Sequence, residues 1–220
     1  MDFGEPGADV LATKLRALAE QVARDLPEYA AAAEAFILRL QAARAGSGSP
    51  RVGQPVPDFM LPDADGELVP LGAFAGGPLV MVFLRGHWCD FCQAQASALV
   101  EVAEALQTSG ATVAIITPER PRYARALITE ASSFRLLCDL DNGYAASLGL
   151  MAVIDATLAR VLADFGVDLP AYQGAKGWAV PIPATFVVNG MGIVVDRAFD
   201  PDYRRRPSLH ALFDAISRAR

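Results

Sequence analysis

A near-continuous apolar run, Leu79 to Leu84, leads straight into Arg85-Gly86-His87-Trp88-Cys89-Asp90-Phe91-Cys92. Beyond it, Cys92, Ala96, Leu99, Ala103 and Leu106 recur at helical spacing, and Thr112 to Thr117 forms a second apolar run. Apolar runs of this kind suit strands covered on both faces, and the stripe between them suits a helix packed on one side. Strand, helix and strand in this order predict a right-handed parallel crossover. Few architectures accept that unit. It makes the larger part of the chain an α/β domain with helices against a central sheet. Further on, Ala184 to Asn189 and Ile193 to Arg197 flank Gly190-Met191-Gly192 and read as a β-hairpin. Ser208 to Arg218, with Pro207 near its start, reads as a closing helix.

The first 50 residues follow a different pattern. Residues 8 to 45 are rich in Ala, Leu, Glu and Arg, all good helix formers. Val10, Leu11, Leu15, Leu18, Val22 and Leu26 recur at helical spacing, Pro27 interrupts, and Phe36, Ile37 and Leu40 continue. This predicts two amphipathic helices with a break near Pro27. Gly46-Ser47-Gly48-Ser49-Pro50 reads as a linker by composition. The expected organisation is a helical arm and linker over 1–50, serving packing or dimerisation, and an α/β domain over 51–220.

Composition narrows the function classes. With 53% hydrophobic and 20% charged residues among 220, the chain can bury a sizeable core. A net charge of −6 argues against nucleic acid or an anionic membrane surface as partner. No apolar run approaches the roughly 20 residues of a spanning helix, and Met1-Asp2-Phe3-Gly4-Glu5 lacks a basic leader. Three cysteines do not make a disulfide framework in a chain this long. A cytoplasmic protein with reduced thiols is the expectation.

The chemistry falls on Cys89 and Cys92. A C-x-x-C pair that follows a buried strand and opens a helix faces free amide N–H groups and the positive end of the helix dipole, both of which stabilise a thiolate. In such a setting the first cysteine is expected to be exposed and acidic, and the second to lie one turn inside. At this spacing the sulfurs can bridge, so a Cys89 thiolate attacks and a Cys89–Cys92 disulfide closes. A zinc half-site competes poorly. Zinc wants four ligands, and only His87, His210 and Cys138 remain as soft or imidazole donors; no metal or other cofactor is expected. Two inert buried thiols are the other bland reading. Arg85 and His87 favour a thiolate at Cys89, whereas Asp90 opposes it. Arg85 reads equally as a donor to loop carbonyls, and His87 as an exposed turn residue. Cys138 in Leu136-Leu137-Cys138-Asp139 reads as a buried small hydrophobe. Arg204-Arg205-Arg206 reads as a solvated turn, and Tyr203 and Trp178 as core residues near the pocket.

Four segments carry a resemblance. They are Gly53-Gln54-Pro55-Val56-Pro57-Asp58-Phe59, the Arg85 to Cys92 loop, Pro181-Ile182-Pro183-Ala184-Thr185-Phe186, and Asp200-Pro201-Asp202-Tyr203-Arg204-Arg205-Arg206. In this order they make Gly53 to Arg220, about three quarters of the chain, similar to peroxiredoxin-like proteins of the alkyl hydroperoxide reductase/thiol-specific antioxidant family. These belong to the thioredoxin-fold superfamily. The resemblance implies a thioredoxin-like fold, a central mixed sheet of four or five strands flanked by helices, with the N-terminal helices as an extension. It implies Cys89 as nucleophile, Cys92 as resolving thiol and Arg85 as catalytic support. It places Trp88, Ile182 and Pro183 against substrate or partner, with a cis Ile182–Pro183 bond.

The implied activity is reduction of a hydroperoxide, or of a disulfide substrate, with a thioredoxin-like or other dithiol reductant closing the cycle. A homodimer is compatible with it. The chain departs from the pattern Pro-x-x-x-Thr/Ser-x-x-Cys of typical members. Counting back from Cys92, Cys89 and Arg85 take the Thr and Pro positions; counting back from Cys89, Gly86 and Val82 do. It also lacks the acid that thioredoxin carries on the strand before its motif. A protein disulfide reductase therefore stays open, and so does a non-enzymatic redox sensor or interaction module.

Overall fold

The computed structural model describes residues 9–128 and 133–220. Met1 to Glu5, read above as lacking a basic leader, lies outside the described residues.

The arm is two helices, α1 (Val10–Asp25) and α2 (Pro27–Ala42). Asp9 caps α1 by accepting from the Leu11 and Ala12 amides. Pro27 opens α2 at a position where its missing N–H costs nothing. Leu11, Leu15, Phe36 and Ile37 join the main core, but Val10 of the expected stripe is exposed, because it lies off the helix face that carries Leu11 and Leu15.

The strands are β1 (Met60–Pro62), β2 (Leu68–Pro70), β3 (Leu79–Phe83), β4 (Thr112–Thr117), β5 (Arg135–Cys138), β6 (Met151–Val153), β7 (Ala179–Pro181), β8 (Ala184–Val188) and β9 (Val194–Phe199). The helices after the arm are α3 (Asp90–Glu101), α4 (Ala103–Thr108), α5 (Pro121–Ala124), α6 (Gly143–Ser147), α7 (Ala156–Asp164), α8 (Leu169–Gln173) and α9 (Leu209–Arg218). The predicted stripe from Cys92 to Leu106 is shared by α3 and α4, with Val102 out of helical conformation between them.

The central sheet has five strands in the order β5-β4-β3-β8-β9. The β3, β4 and β5 strands run parallel, as the crossover requires, while β8 runs antiparallel to β3 and β9 antiparallel to β8, in the direction of β3. All five residues of β3 are buried, which explains its unbroken apolar run. Register then decides what meets at one edge. Phe83 at the end of β3 pairs with Ile116 near the end of β4 and with Ala184 at the start of β8, which pairs with Phe199 at the end of β9. The segments just beyond these residues therefore emerge together. They are the Arg85–Cys89 loop, Pro118-Glu119, Ile182-Pro183 and the Asp200–Pro207 stretch.

Two expectations are corrected. The Ile182–Pro183 bond is trans, as are all peptide bonds among the described residues. The chain reaches β8 already extended, since β7 pairs with β6 and the Ile182 amide donates to Leu150 O. The Gly46–Pro50 stretch is also no loose linker. Arg197 donates to Ser49 and Pro50, and Ser49 is buried. Gly46 sits at φ +83°, where a Cβ would lie 2.7 Å from the Phe199 ring.

The arm lies on the domain, α1 against α3 and α2 against α7. Arg39 pairs with Asp155, the residue that caps α7. Tyr29 of α2 shares a hydrogen bond of 3.0 Å with Tyr203. No helix among the described residues is long and apolar enough to cross a membrane.

Candidate active site

Cys89 is the last extended residue before α3, and its carbonyl accepts the Cys92 and Gln93 amides at 2.8 and 3.0 Å. Cys92 stands inside the first turn. Both thiols are free and both are buried. Cys92 Sγ accepts the Arg85 amide at 3.3 Å, lies 3.8 Å from Arg206 Nη2, and receives the Cys89 thiol as a hydrogen-bond donor.

Burial by itself raises a thiol. At Cys92 it is overcome by the Cys89 hydrogen bond, by Arg206 and Arg85, and by the Arg85 amide, which together pull Cys92 down to about 6. At Cys89 burial wins, and donating its proton to Cys92 holds it well above the ordinary thiol range. The sequence expectation of an exposed, acidic first cysteine is thereby corrected. Cys92 is the lowered thiol, because it accepts both the Cys89 thiol and the Arg85 amide while the two guanidinium groups lie near the pair.

Arg85 is almost wholly inaccessible, and its guanidinium nitrogens have no hydrogen-bond partner. It lies 4.7 Å from the Trp88 ring centroid and 4.1 Å from that of Tyr203. A buried cation without a partner is costly. Burial disfavours its charge, but the facing Cys89 and Cys92 sulfurs and the two tyrosines outweigh that and keep it cationic. It is not the loop-carbonyl donor that the sequence allowed.

The basic turn is also corrected. Arg204 pairs with Asp202 and Glu34, and Arg205 with Asp200. Arg206 instead turns inward. It is buried, donates to Gln95 Oε1 and the Tyr203 carbonyl, and reaches Cys92. Sequence reasoning missed it because three adjacent arginines look alike when their strand-edge position is unknown.

Glu119 was missed as well. Its side chain is fully buried, its Oε2 accepts the His87 amide at 2.8 Å, and its Oε1 lies 2.6 Å from His87 Nδ1. Burial raises its carboxyl, the two His87 bonds partly offset this, and Cys92 raises it further. His87 is no free turn residue. Its ring stacks on Tyr123 at 5.5 Å and meets Tyr172 edge-on at 4.8 Å. Gly86 makes the clamp possible. At φ +141°, a Cβ there would fall 2.6 Å from the Glu119 carboxyl and 2.7 Å from Trp88 Nε1. A usable sign existed in the sequence: an acid just past the apolar run neighbouring the one that ends at the cysteines.

A cavity of about 190 Å³ opens over Cys89, walled by Val22, Leu26, Tyr29, Trp88, Leu162 and Phe165. Trp88 lines this cavity, and the arm contributes a wall. Ile182 and Pro183 share the sheet edge but do not line this cavity. A larger hollow of about 640 Å³ between α1 and α3 includes Asp90 but neither thiol. Cys138 is buried at the end of β5, where burial, then Asp63 and Glu119, push its thiol up to about 12. Among the described residues, no three His, Cys, Asp or Glu side chains gather as a metal site.

The chain is similar to known proteins in sequence and in fold. Peroxiredoxin Bcp of Escherichia coli K12 is 31% identical over 101 residues, covering 46% of this chain and 65% of that protein. The chloroplastic peroxiredoxin Q of Populus jackii is 32% identical over 107 residues, covering 48% and 50%. The matched segment thus spans less than two thirds of either relative. Among solved structures, peroxidoxin BcpB of Mycobacterium tuberculosis superposes with a TM-score of 0.57 at 20% identity, covering 78% of this chain and 99% of that one. A peroxiredoxin-like protein of Aquifex aeolicus gives 0.59 at 12% identity, covering 80% and 91%. These two establish the thioredoxin-like fold. The AhpC/TSA family profile matches residues 52–197, and the chain belongs to that family.

Proposed function

We propose that the chain is a thiol peroxidase that reduces hydroperoxides with Cys89 and Cys92, and that a thioredoxin-like dithiol reductant regenerates it in a cytoplasmic setting. The observation that carries this reading is a pair of buried free thiols set beside two buried guanidinium groups, Arg85 and Arg206, with Cys89 lining a cavity. Cys89 is the sulfur at the cavity. Its thiol gives its proton to the Cys92 thiolate as it attacks the distal peroxide oxygen, the activation of a nucleophile by an adjacent base. The O–O bond breaks, Cys89 becomes a sulfenic acid, and the alkoxide leaves with the proton then held by Cys92. The restored Cys92 thiolate attacks the Cys89 sulfur, expels hydroxide and closes the disulfide. Arg85, beside Cys89 and free of hydrogen-bond partners, offers its N–H groups to the oxygen that gathers charge. Trp88 walls the substrate side. Pro183 and Ile182 sit at the edge where a reductant would approach.

A second reading reverses the two sulfurs. It is favoured by the charge residing on Cys92, since the thiolate is the nucleophile. The test is thiol loss from the fully reduced protein with one equivalent of hydrogen peroxide, in wild type, Cys89→Ser and Cys92→Ser, against free cysteine. Loss far above the baseline that disappears in Cys89→Ser supports the first order. Loss that persists in Cys89→Ser and disappears in Cys92→Ser establishes the reverse. A wild-type rate no better than free cysteine ends the peroxidase reading and leaves disulfide exchange.

A further inference from the structure

We propose that Tyr29 of the arm is a further catalytic residue whose hydroxyl donates a hydrogen bond to the peroxide oxygen that leaves as Cys89 attacks, an inference that rests on the peroxidase reading above. Tyr29 stands in the first turn of α2, just past the break at Pro27. Beside it, Glu28 pairs with Arg160 of α7 at 2.6 Å, and the Tyr29 ring meets Phe165 edge-on at 6.4 Å. These contacts hold the phenol over the domain, where it walls the cavity of about 190 Å³ that opens on Cys89. A space this small lies below the roughly 300–1,000 Å³ of ordinary ligand pockets, so a molecule seated on Cys89 meets the facing walls as well.

The donors in that wall single out Tyr29. Val22, Leu26, Phe91, Leu162, Phe165 and Val167 are apolar, and an ionised Asp90 only accepts. The Trp88 N–H is buried against Gly86. Among the described residues, Tyr29 is therefore the one side chain lining this cavity with a hydroxyl to offer. Its hydrogen is free to do so. Tyr29 and Tyr203 share a single hydrogen bond of 3.0 Å, which uses one of their two hydrogens. Tyr203 is 3% exposed, with Arg85 over its ring at 4.1 Å and Phe91 edge-on at 5.4 Å. Its hydroxyl has Tyr29 as its one partner among the described residues. If Tyr29 donated, the Tyr203 hydrogen would be buried without an acceptor, which is costly. Tyr203 therefore donates to Tyr29, and Tyr29 keeps its own hydrogen for the cavity. Burial raises both phenols above the ordinary tyrosine range, so both stay protonated at neutral pH.

This donor serves one moment of the reaction. As the S–O bond forms, the O–O bond breaks and its electron pair passes to the oxygen that leaves. The Cys89 sulfur is oxidised by two electrons and the peroxide is reduced by two. The leaving oxygen gains a charge that the intact peroxide lacks, so a donor aimed at it lowers the barrier more than it tightens binding. Tyr29 lends a hydrogen bond and keeps its proton; the proton that neutralises the alkoxide comes from Cys92. Tyr203, with Arg85 over its ring, holds the Tyr29 oxygen and is a positioning residue. The arm is thus part of the active site, since Val22, Leu26 and Tyr29 are all its own.

The test compares two oxidants on the reduced full-length protein, following thiol loss in wild type, Tyr29→Phe and Tyr203→Phe. Hydrogen peroxide expels hydroxide, a strong base that needs a donor. Peracetic acid expels acetate, a weak base that does not. Tyr29→Phe keeps the ring on Phe165 and removes the hydroxyl alone. Its rate with hydrogen peroxide falls by about 10–100-fold, as for one hydrogen bond to a charged oxygen. Its rate with peracetic acid falls by no more than about threefold. Tyr203→Phe breaks the same bond between arm and domain but leaves the Tyr29 hydroxyl at the cavity, so its loss with hydrogen peroxide is the smaller of the two. Equal losses of Tyr29→Phe with the two oxidants, or a Tyr203→Phe loss as large as that of Tyr29→Phe, would make the hydroxyl a structural tie and overturn the proposal. A wild-type rate no better than free cysteine with either oxidant ends the peroxidase reading itself. A fast wild type matched by Tyr29→Phe with hydrogen peroxide ends the role of Tyr29 alone.

Discussion

Replacing Arg206 with methionine isolates the strongest single charge effect at the site. The guanidinium lies 3.8 Å from Cys92 Sγ and is buried with it. At an effective dielectric of about 20, two unit charges at that distance attract by about 4 kcal/mol. This is a ceiling, since Arg85 stays in place and part of the lost attraction is recovered by relaxation. An opposite charge at this range typically shifts a titrating group by about 1–3 units, and the lower half of that range is expected here. Cys92, now at about 6, would then titrate about 1–2 units higher. At pH 7 the thiolate fraction falls from roughly 90% to between roughly 50% and 10%. The assay is the 240 nm titration of reduced protein from pH 4 to 10, with Arg206→Lys alongside. Lysine keeps the charge but loses the fork that also holds Gln95 and the Tyr203 carbonyl, so its shift should be smaller. A folded Arg206→Met variant with the wild-type midpoint would refute the assignment of the thiolate to this guanidinium. It would leave Arg85 and the helix N-terminus as the sources of acidity.

Gly86→Ala should destabilise the protein by at least about 1–3 kcal/mol in urea unfolding, because φ +141° is costly for alanine and its Cβ meets the Glu119 carboxyl; an unchanged midpoint would show that the clamp yields freely. The reduced fold should also gain stability over the disulfide form as pH rises from about 6 to about 8.5. Cys92 titrates near 6 when folded and near about 8.5 when unfolded. Its contribution is full above the unfolded value and is lost as pH falls through the folded one. Cys89, raised on folding, has the opposite sign and withdraws stability above about pH 8.5. Paired urea titrations of the two redox forms at pH 6 and pH 8 check this, and a reduced form that does not gain stability relative to the disulfide form with pH refutes it. Cys138→Ala should leave the rate of peroxide-driven thiol loss within about twofold of wild type, since a thiol pushed up to about 12 by burial is not ionised at neutral pH; a large loss of rate would make it a third redox thiol.

What the sequence made legible follows one physical division. Patterns that recur along the chain were readable. The crossover, the hairpin, the arm broken at Pro27 and the helix capped by Ser208 each follow from local periodicity and punctuation. The cysteine pair was readable for the same reason, since its meaning lies in the strand before it and the helix after it. The groups that decide which sulfur carries the charge were not readable. Arg206 lies 114 positions from Cys92, and Glu119 lies 32 from His87. Both reach the site only because β4, parallel to β3, and β9, antiparallel to β8 and so running with β3, end at the edge where β3 releases the cysteine loop. Local reasoning saw Asp90 between the cysteines and the helix dipole behind them, and it assigned the acidic thiol to Cys89. The fold reverses that order, because the inner sulfur accepts the Cys89 thiol and the Arg85 amide with both guanidinium groups near the pair.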